Sequence, residues 1–300
     1  MKKQITLLEK INFEELNALQ TGFARKSWPR DACRRALLAV EQASRAKLAV
    51  APLAALIAFP LHSQSMAESE GTFTVTPSFV SAFMDRGARQ SGFSFQPTIG
   101  YARGQLALEL FCNFPISDKI PETADPQIDL AAFYTWTVVT DMFEIKPGIT
   151  LSTLPRARES EGVYKVTWEP SVFFCYTLKG IQFSLNFYYD LTMQGPTYEF
   201  GADYTIPLQQ LGFDIELSAL AGRCDWAHTV PESSAKVRNE GDYWQAGLSI
   251  PIEFSKNSKL TVGWYYEKGL NNHFYEGDSK IPNHDAIGRG VFSVGFAYTF

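Results

Sequence analysis

The final ten residues, Val-Phe-Ser-Val-Gly-Phe-Ala-Tyr-Thr-Phe (291–300), decide the fold class of this chain. Large apolar side chains occupy every second position, with small or polar side chains between them. This period of two predicts a β-strand with one apolar and one polar face. Such a strand, with aromatic residues at a membrane–water interface, is typical of a bacterial outer-membrane β-barrel, although an ordinary half-buried strand of a soluble domain is the alternative. In the barrel interpretation the lipid-facing residues are Phe292, Val294, Phe296, Tyr298 and Phe300.

Eleven segments upstream show the same alternation. Each has about nine residues or more, which is the length that a tilted strand needs to cross a bilayer. Barrels of this class have an even number of antiparallel strands. We therefore predict an all-β fold, a single antiparallel transmembrane β-barrel of about 12 strands. The twelve predicted strands are 72–84, 92–102, 105–114, 127–139, 143–153, 163–177, 180–191, 197–206, 213–223, 242–254, 259–267 and 290–300.

The connections between these segments alternate between short and long. This predicts short periplasmic turns and long extracellular loops, a sorting that a soluble sandwich does not require. The predicted long loops are 85–91, 115–126, 154–162, 192–196, 224–241 and 269–289. Proline has no N–H for the ladder, so bulges or strand ends are expected at the prolines inside predicted strands, which are Pro77, Pro97, Pro147, Pro170 and Pro251.

Residues 1–67 differ from the rest and predict a leader that is removed. A stretch with basic residues precedes the apolar run 48–59, and small residues follow at Ser65 and Ala67. This order is typical of a secretory signal peptide cut after Ala67, and a buried core helix is the alternative. Because the leader is long, either its basic region is extended or 1–47 reflects a start called too far upstream. The barrel is then expected over 68–300.

Removing the leader makes the chain more acidic. The whole sequence carries 27 Lys and Arg against 32 Asp and Glu. Ten basic and five acidic residues fall within 1–67, which leaves 17 against 27 and a net charge of −10. This balance argues against nucleic acid as a partner. Three cysteines remain, Cys112, Cys175 and Cys224, and we interpret them as small apolar fillers rather than a disulfide framework.

Charged residues on the predicted strands fall consistently on the face opposite the lipid. A charge on the lipid face would cost about 2–4 kcal/mol at mid-depth. The consistent position of the charges on the opposite face therefore supports the predicted inward and outward faces of the strands. A water-filled pore that favours cations or neutral solutes would explain the acidic excess; a lumen closed by carboxylate–Lys/Arg networks is the alternative. Arg86, Arg89 and Arg223 are predicted at the rim. The predicted lumen-lining residues are Glu109, Asp129, Glu144, Lys146, Lys165, Glu169, Asp190, Glu199, Asp203, Asp214, Glu216, Glu253, Lys259 and Glu267.

Signals for an enzyme are missing from the sequence. His228, His273 and His284 fall in predicted outer loops, outside any His-Glu-x-x-His motif. No Gly-x-Ser-x-Gly elbow and no metal-ligand spacing occurs. We therefore predict no enzymatic activity, no catalytic residue, no metal and no cofactor.

The end of the first predicted strand resembles the opening motif of the TorF-like porin family of bacterial outer-membrane barrels. Members tend to have an aromatic residue, then Arg-Gly, then a Gln-Ser pair, and Phe83, Arg86-Gly87 and Gln90-Ser91 match this order. Met84-Asp85 departs from the usual residues before the arginine. The resemblance implies an outer-membrane barrel and solute passage, but no particular substrate.

Together these patterns predict an outer-membrane channel for passive diffusion of small polar or cationic solutes. A structural or adhesive barrel with a closed lumen, acting through its extracellular loops, is the alternative. The expected partners are outer-membrane lipid, small solutes, and the barrel-assembly machinery, which would engage the C-terminal strand.

Overall fold

The computed structural model describes residues 70–117, 126–156, 165–208, 213–229, 236–276 and 279–300, so the predicted leader lies outside the described residues. Over these ranges the chain forms eighteen β-strands. They are β1 (Thr72–Thr76), β2 (Ser78–Val80), β3 (Phe83–Asp85), β4 (Ala88–Ser91), β5 (Ser94–Phe95), β6 (Thr98–Arg103), β7 (Leu106–Pro115), β8 (Gln127–Tyr134), β9 (Trp136–Val139), β10 (Phe143–Thr153), β11 (Val166–Leu178), β12 (Ile181–Asp190), β13 (Gly195–Leu208), β14 (Phe213–Thr229), β15 (Lys236–Ser255), β16 (Ser258–Glu276), β17 (Ser279–Pro282) and β18 (Arg289–Thr299).

Sixteen of these strands form one antiparallel sheet that closes on itself. β18 pairs with β16 on one side and with β1 and β2 on the other. The wall contains twelve crossings, because β1–β2, β5–β6 and β8–β9 are collinear pieces and β17 pairs with the end of β16. The predicted all-β, 12-stranded antiparallel barrel is confirmed. No helix in the described residues is long and apolar enough to cross a membrane.

The two faces of the wall have opposite chemistry. Outward side chains are large, apolar and exposed, as with Leu185 (42% exposed) and Phe200 (55%). The inward neighbours Asn186 and Glu199 are 6% and 2% exposed. Side chains alternate between faces along a strand, so an apolar outer belt and a polar interior follow from the same periodicity. The C-terminal residues Phe292, Phe296, Tyr298 and Phe300 all lie exposed, and Val294 is half-buried.

Pro77 and Pro97 each separate two short strands without shifting the register. β1 and β2 keep one pairing register with both β18 and the β5–β6 strand. The carbonyl of Pro77 accepts a hydrogen bond from the Phe296 N–H at 3.0 Å, and that of Pro97 accepts one from the Cys112 N–H at 3.0 Å. Each proline thus lacks only its donor, and these two prolines mark strand ends as expected.

Four predicted segments have wrong boundaries at the end of the barrel opposite the chain termini. Strand 72–84 stops at Val80, and 85–91 is not an outer loop, because β3 and β4 form a separate two-stranded hairpin. The segments 224–241 and 269–289 are largely strand: β14 continues to Thr229 and β16 to Glu276. On the extension of β14 the apolar residues Cys224 and Trp226 are buried and the charged Asp225 lies between them, so the pattern of apolar outward and polar inward residues that predicts the wall is lost there.

We call the end of the barrel that carries Thr72 and Phe300 the turn end. The connections Leu178–Ile181 and Ser255–Ser258 lie there. We call the opposite end, where β14, β15 and β16 extend furthest, the loop end. β14, β15 and β16 have 17, 20 and 19 residues, which is longer than the roughly 9–11 residues that a bilayer crossing needs.

Candidate functional site

The β3–β4 hairpin occupies the interior of the barrel near the loop end. Phe83, Met84 and Asp85 are at most 2% exposed, and the hairpin tip reaches residues on β11, β12, β14 and β16. At its base Met84 packs in a buried apolar cluster with Val80, Ala82 and Val291. The hairpin therefore starts at the wall formed by β2 and β18 and crosses the lumen to the opposite wall.

The backbone at the tip is a two-residue turn with left-handed conformation at both positions. Arg86 has φ +48° and Gly87 has φ +80°, which is the combination that type I′ hairpin turns require. A Cβ at Gly87 would lie 2.6 Å from Gly269 Cα and 2.7 Å from Tyr243 Cβ. Glycine is therefore required here by conformation and by the close backbone approach to β16.

The turn places the guanidinium of Arg86 in a cage on the far wall. Nη2 donates to both carboxylate oxygens of Glu169, at 3.1 and 3.0 Å. The guanidinium carbon lies 5.2 Å from the ring centroid of Tyr188 and 5.4 Å from that of Trp226, which is within the range of cation–π attraction. Arg86 and Glu169 are each 4% exposed at the side chain. Burial acts to lower the pKa of Arg86, but Glu169 and Asp85 outweigh it and raise that pKa well above its usual value.

A second carboxylate, that of Glu199, holds Tyr188 of the cage in place. Glu199 accepts hydrogen bonds from Tyr188 Oη at 2.9 Å, Asn186 Nδ2 at 3.3 Å and Tyr243 Oη at 2.7 Å. A third carboxylate, Glu267, accepts the backbone N–H of Gly87 at 2.7 Å. Hydrogen bonds to a charged acceptor are the strong ones, so the loop-end half of the lumen is a connected polar network around the hairpin tip.

Below the hairpin the lumen widens into a cavity of about 840 Å³. It extends from Met84 and Phe111 under the hairpin to Asp141 and Gly180 at the turn end. Most of its polar lining comes from inward positions of the wall. The charged residues that line it are Glu109, Asp141, Glu144, Lys146, Asp203, Glu216 and Glu267. Lys146 forms an ion pair with Glu144 at 3.0 Å, so the lining is predominantly acidic.

The predicted lumen-lining residues separate into three groups by exposure. The exposed ones, at the two ends, are Lys165 and Glu253. The partly buried ones are Glu144, Asp203, Asp214 and Glu216. The buried ones are Glu109, Asp129, Lys146, Glu169, Asp190, Glu199, Lys259 and Glu267. Within the last group Asp190 has a local structural role, because Oδ1 accepts the N–H groups of Thr192 and Met193 at 2.8 Å each.

The predicted rim position of Arg86 is wrong, since its side chain is buried inside the barrel. An outer loop was expected at 85–91, and the inward fold of the hairpin reverses the direction of that side chain. Arg89 is half-buried, and its N–H donates to the Asp285 carbonyl at 3.0 Å. Arg223 lies half-exposed on the outer face near the loop end, where it pairs with Asp242 at 2.9 Å and Glu240 at 3.6 Å.

Three aromatic residues of this site were not among the predicted site residues. Tyr188 has the correct inward phase in its strand, so the signal was present in the sequence. Trp226 lies on β14, in a segment expected to be a loop, so its inward position could not be predicted. Tyr243 lies on β15 within the predicted strand 242–254 and faces the same side as Glu253, so the signal for its inward position was present in the sequence. Trp226 is 3% exposed and packs with Met193 and Cys224.

No group of His, Cys, Asp and Glu arranged to hold a metal occurs among the described residues. His228 and His273 were expected in loops but lie on β14 and β16, since those strands run further than predicted. The cysteines Cys112, Cys175 and Cys224 are free. Cys224 is buried against Trp226 and Met193, as expected for an apolar filler.

No family model matches the chain, and no curated protein matches it. Solved structures of similar fold are outer-membrane channels and porins, among others. The KdgM porin is 12% identical with TM-score 0.47, covering 76% of this chain and 99% of that one. The COG4313 outer membrane channel from Pseudomonas putida F1 is 10% identical with TM-score 0.41, covering 80% and 100%. LpxR from Salmonella typhimurium is 8% identical with TM-score 0.44, covering 76% and 100%. Such distant likeness carries no argument about activity, and the resemblance to TorF-like porins stays an expectation from the sequence.

Proposed function

We propose that this protein is an outer-membrane channel for small polar or cationic solutes, with the β3–β4 hairpin as its constriction. The observation that carries the proposal is the polar interior: a closed barrel with an apolar exterior contains an acid-lined cavity of about 840 Å³. Water and solutes would fill such a cavity, because its carboxylates need solvation or partners. The turn end would face the periplasm, as in other barrels of this class.

The acidic lining supports a preference for cations. Asp203 and Glu216 line the cavity at inward positions of neighbouring strands. Lys146, the one lysine in the lining among the described residues, is paired with Glu144. Rings of carboxylates favour cations over anions in channels. The lipid-facing C-terminal strand, with the exposed Phe300 at its end, would be the part engaged by the assembly machinery.

Planar-bilayer recording of the purified full-length barrel tests the proposal. Folded protein is first identified by its altered gel mobility without boiling. We expect stepwise conductance with cations preferred over anions, and larger steps when 83–91 is replaced by a Gly-Ser linker of equal length. If neither the parent nor the linker variant conducts although both are folded, the channel function is refuted.

One observation favours the adhesive alternative, namely the length of β14, β15 and β16 beyond a bilayer crossing. Their ends form a β-ribbon with β17 at the loop end. If the function lies in this ribbon, neither the parent protein nor the linker variant should conduct in a planar bilayer. The barrel would also lose surface attachment of the producing cells when 227–238 and 274–281 are shortened, without losing its heat-modifiable gel mobility.

A further inference from the structure

We infer that the wall residues around Arg86 form a binding site for a guanidinium-type organic cation, and that Arg86 occupies this site as a tethered stand-in for the solute. The inference rests on the proposed channel function and specifies its solute class. The inference comes from the asymmetry of the contact between Arg86 and the cage. Arg86 is a turn residue of an inserted hairpin, whereas Glu169, Tyr188 and Trp226 all belong to the barrel wall. When the hairpin leaves, the wall side of the site remains.

The wall supplies the groups that recognise a guanidinium rather than a generic cation. Glu169 offers a carboxylate, and the rings of Tyr188 and Trp226 lie 5.2 and 5.4 Å from the guanidinium carbon. A planar, weakly hydrated cation can stack on aromatic faces while it donates to a carboxylate. An ammonium ion, compact and strongly hydrated, gains less from such a cage.

The two aromatic residues of the cage are held by contacts with residues other than Arg86. Tyr188 is held by its hydrogen bond to Glu199 and by an edge contact with Phe173 at a centroid distance of 5.4 Å. Trp226 is fixed in the buried cluster with Met193 and Cys224. Side chains held by neighbours of this kind keep a site preorganised, so an empty cage should bind without rebuilding.

Arg86 uses the site incompletely. Only Nη2 bonds to Glu169, while Nε and Nη1 make no hydrogen bond to any residue that the structure describes. The turn fixes the side chain at its base and limits the approach of the guanidinium. A free guanidinium can rotate to donate two parallel N–H groups to one carboxylate, which is the stronger arrangement. A diffusing solute can therefore compete with the tethered group.

Isothermal titration calorimetry with ethylguanidinium on the folded, detergent-solubilised full-length protein tests the inference without requiring conduction. Arg86→Asn is the decisive variant, because asparagine tolerates the left-handed turn conformation and Asn-Gly is the preferred type I′ pair. A tethered competitor acts at an effective concentration of order millimolar, so removing it should tighten binding by about tenfold or more. Ethylammonium should bind the Arg86→Asn variant more weakly than ethylguanidinium.

Adding Glu169→Gln to Arg86→Asn should abolish the binding, whereas adding Glu253→Gln should leave it unchanged, since Glu253 lies exposed on β15 towards the turn end. Absence of ethylguanidinium binding to a folded Arg86→Asn protein overturns the inference, as does equal binding by both double variants. If Arg86→Asn does not fold, the same titration is made on the linker replacement of 83–91. A protein that binds ethylguanidinium but never conducts would refute the channel function and support the binding site. A protein that conducts but does not bind ethylguanidinium would support the channel function and refute the binding site.

Discussion

Glu169→Gln should release the β3–β4 hairpin from the far wall and increase the open fraction of the proposed channel. The substitution keeps the size of the side chain and removes the charge that pairs with Arg86. Both side chains are 4% exposed, so the remaining guanidinium would be buried without its direct partner. Breaking a buried ion pair from one side costs roughly 3–5 kcal/mol.

The lower end of that range applies here, because other carboxylates lie near Arg86. Glu199 and Asp85 both act on its charge and are unchanged in the variant. A cost of about 3 kcal/mol on the docked state alone would raise the ratio of undocked to docked hairpin by about 100-fold. The variant should therefore spend a much larger share of each recording at the higher conductance level.

Two measurements check this expectation. The first is the open fraction in planar bilayers. The second is the labelling rate of Ala88→Cys by a small polar maleimide, in a background where the native cysteines are replaced by serine. Ala88 is 9% exposed on the hairpin, so its labelling follows the undocked population when docking is fast. Glu253→Gln is the matched control, since it removes the same kind of charge at the turn end of the barrel, where Glu253 is exposed and away from the hairpin. An unchanged open fraction and labelling rate in Glu169→Gln, or an equal increase in the control, would refute the role of this ion pair.

Three further outcomes are expected. Gly87→Ala should undock the hairpin and raise the labelling rate of Ala88→Cys. Gly180→Ala is the control, because Gly180 has a similar φ of +82° but the nearest atom lies 3.8 Å from the added Cβ, so this substitution should affect only its own turn. Leu185→Lys on the outer face should lower the free energy of unfolding in lipid vesicles, measured by urea titration, by about 2–4 kcal/mol. Gln182→Lys, which faces the cavity, should change this free energy by much less. Equal losses for the two variants would contradict the outward position of Leu185 and the inward position of Gln182. Asp203→Lys should shift the reversal potential in a salt gradient towards weaker cation preference, and an unchanged potential would remove Asp203 from the conduction path.

The barrel wall could be predicted from the sequence because lipid imposes its constraint on every residue separately. A charge that faces lipid costs about 2–4 kcal/mol at mid-depth and less near the interfaces, so the side of the wall that residues such as Leu185 and Glu199 face can be inferred from the local sequence. No such rule applies beyond the bilayer. There β14 continues with the apolar Cys224 and Trp226 buried and the charged Asp225 between them, which is the reverse of the alternation that predicts the wall.

The interior hairpin could not be predicted for a different reason. Its decisive contact joins Arg86 to Glu169, 83 residues apart in sequence. Each residue alone is compatible with a solvated position, and Arg86-Gly87 is equally suited to a turn outside the barrel. The hairpin folds into the lumen because its turn, the contact of Gly87 with β16 and the cage on the opposite wall fit together. These features are far apart in the sequence and come into contact only in the folded protein.

The two halves of the lumen should contribute unequally to selectivity. The cavity and the hairpin lie in series along the barrel axis, so in the proposed channel the narrower element would limit the passage of solute. Acidic residues of the cavity, such as Asp203, would concentrate cations near the hairpin by their field, but they would not decide which cation passes. That choice would fall to the groups that a solute contacts when it replaces Arg86, which are Glu169, Tyr188 and Trp226. Substitutions in the cavity should therefore change the preference between cations and anions, whereas substitutions in the cage should change the preference among cations.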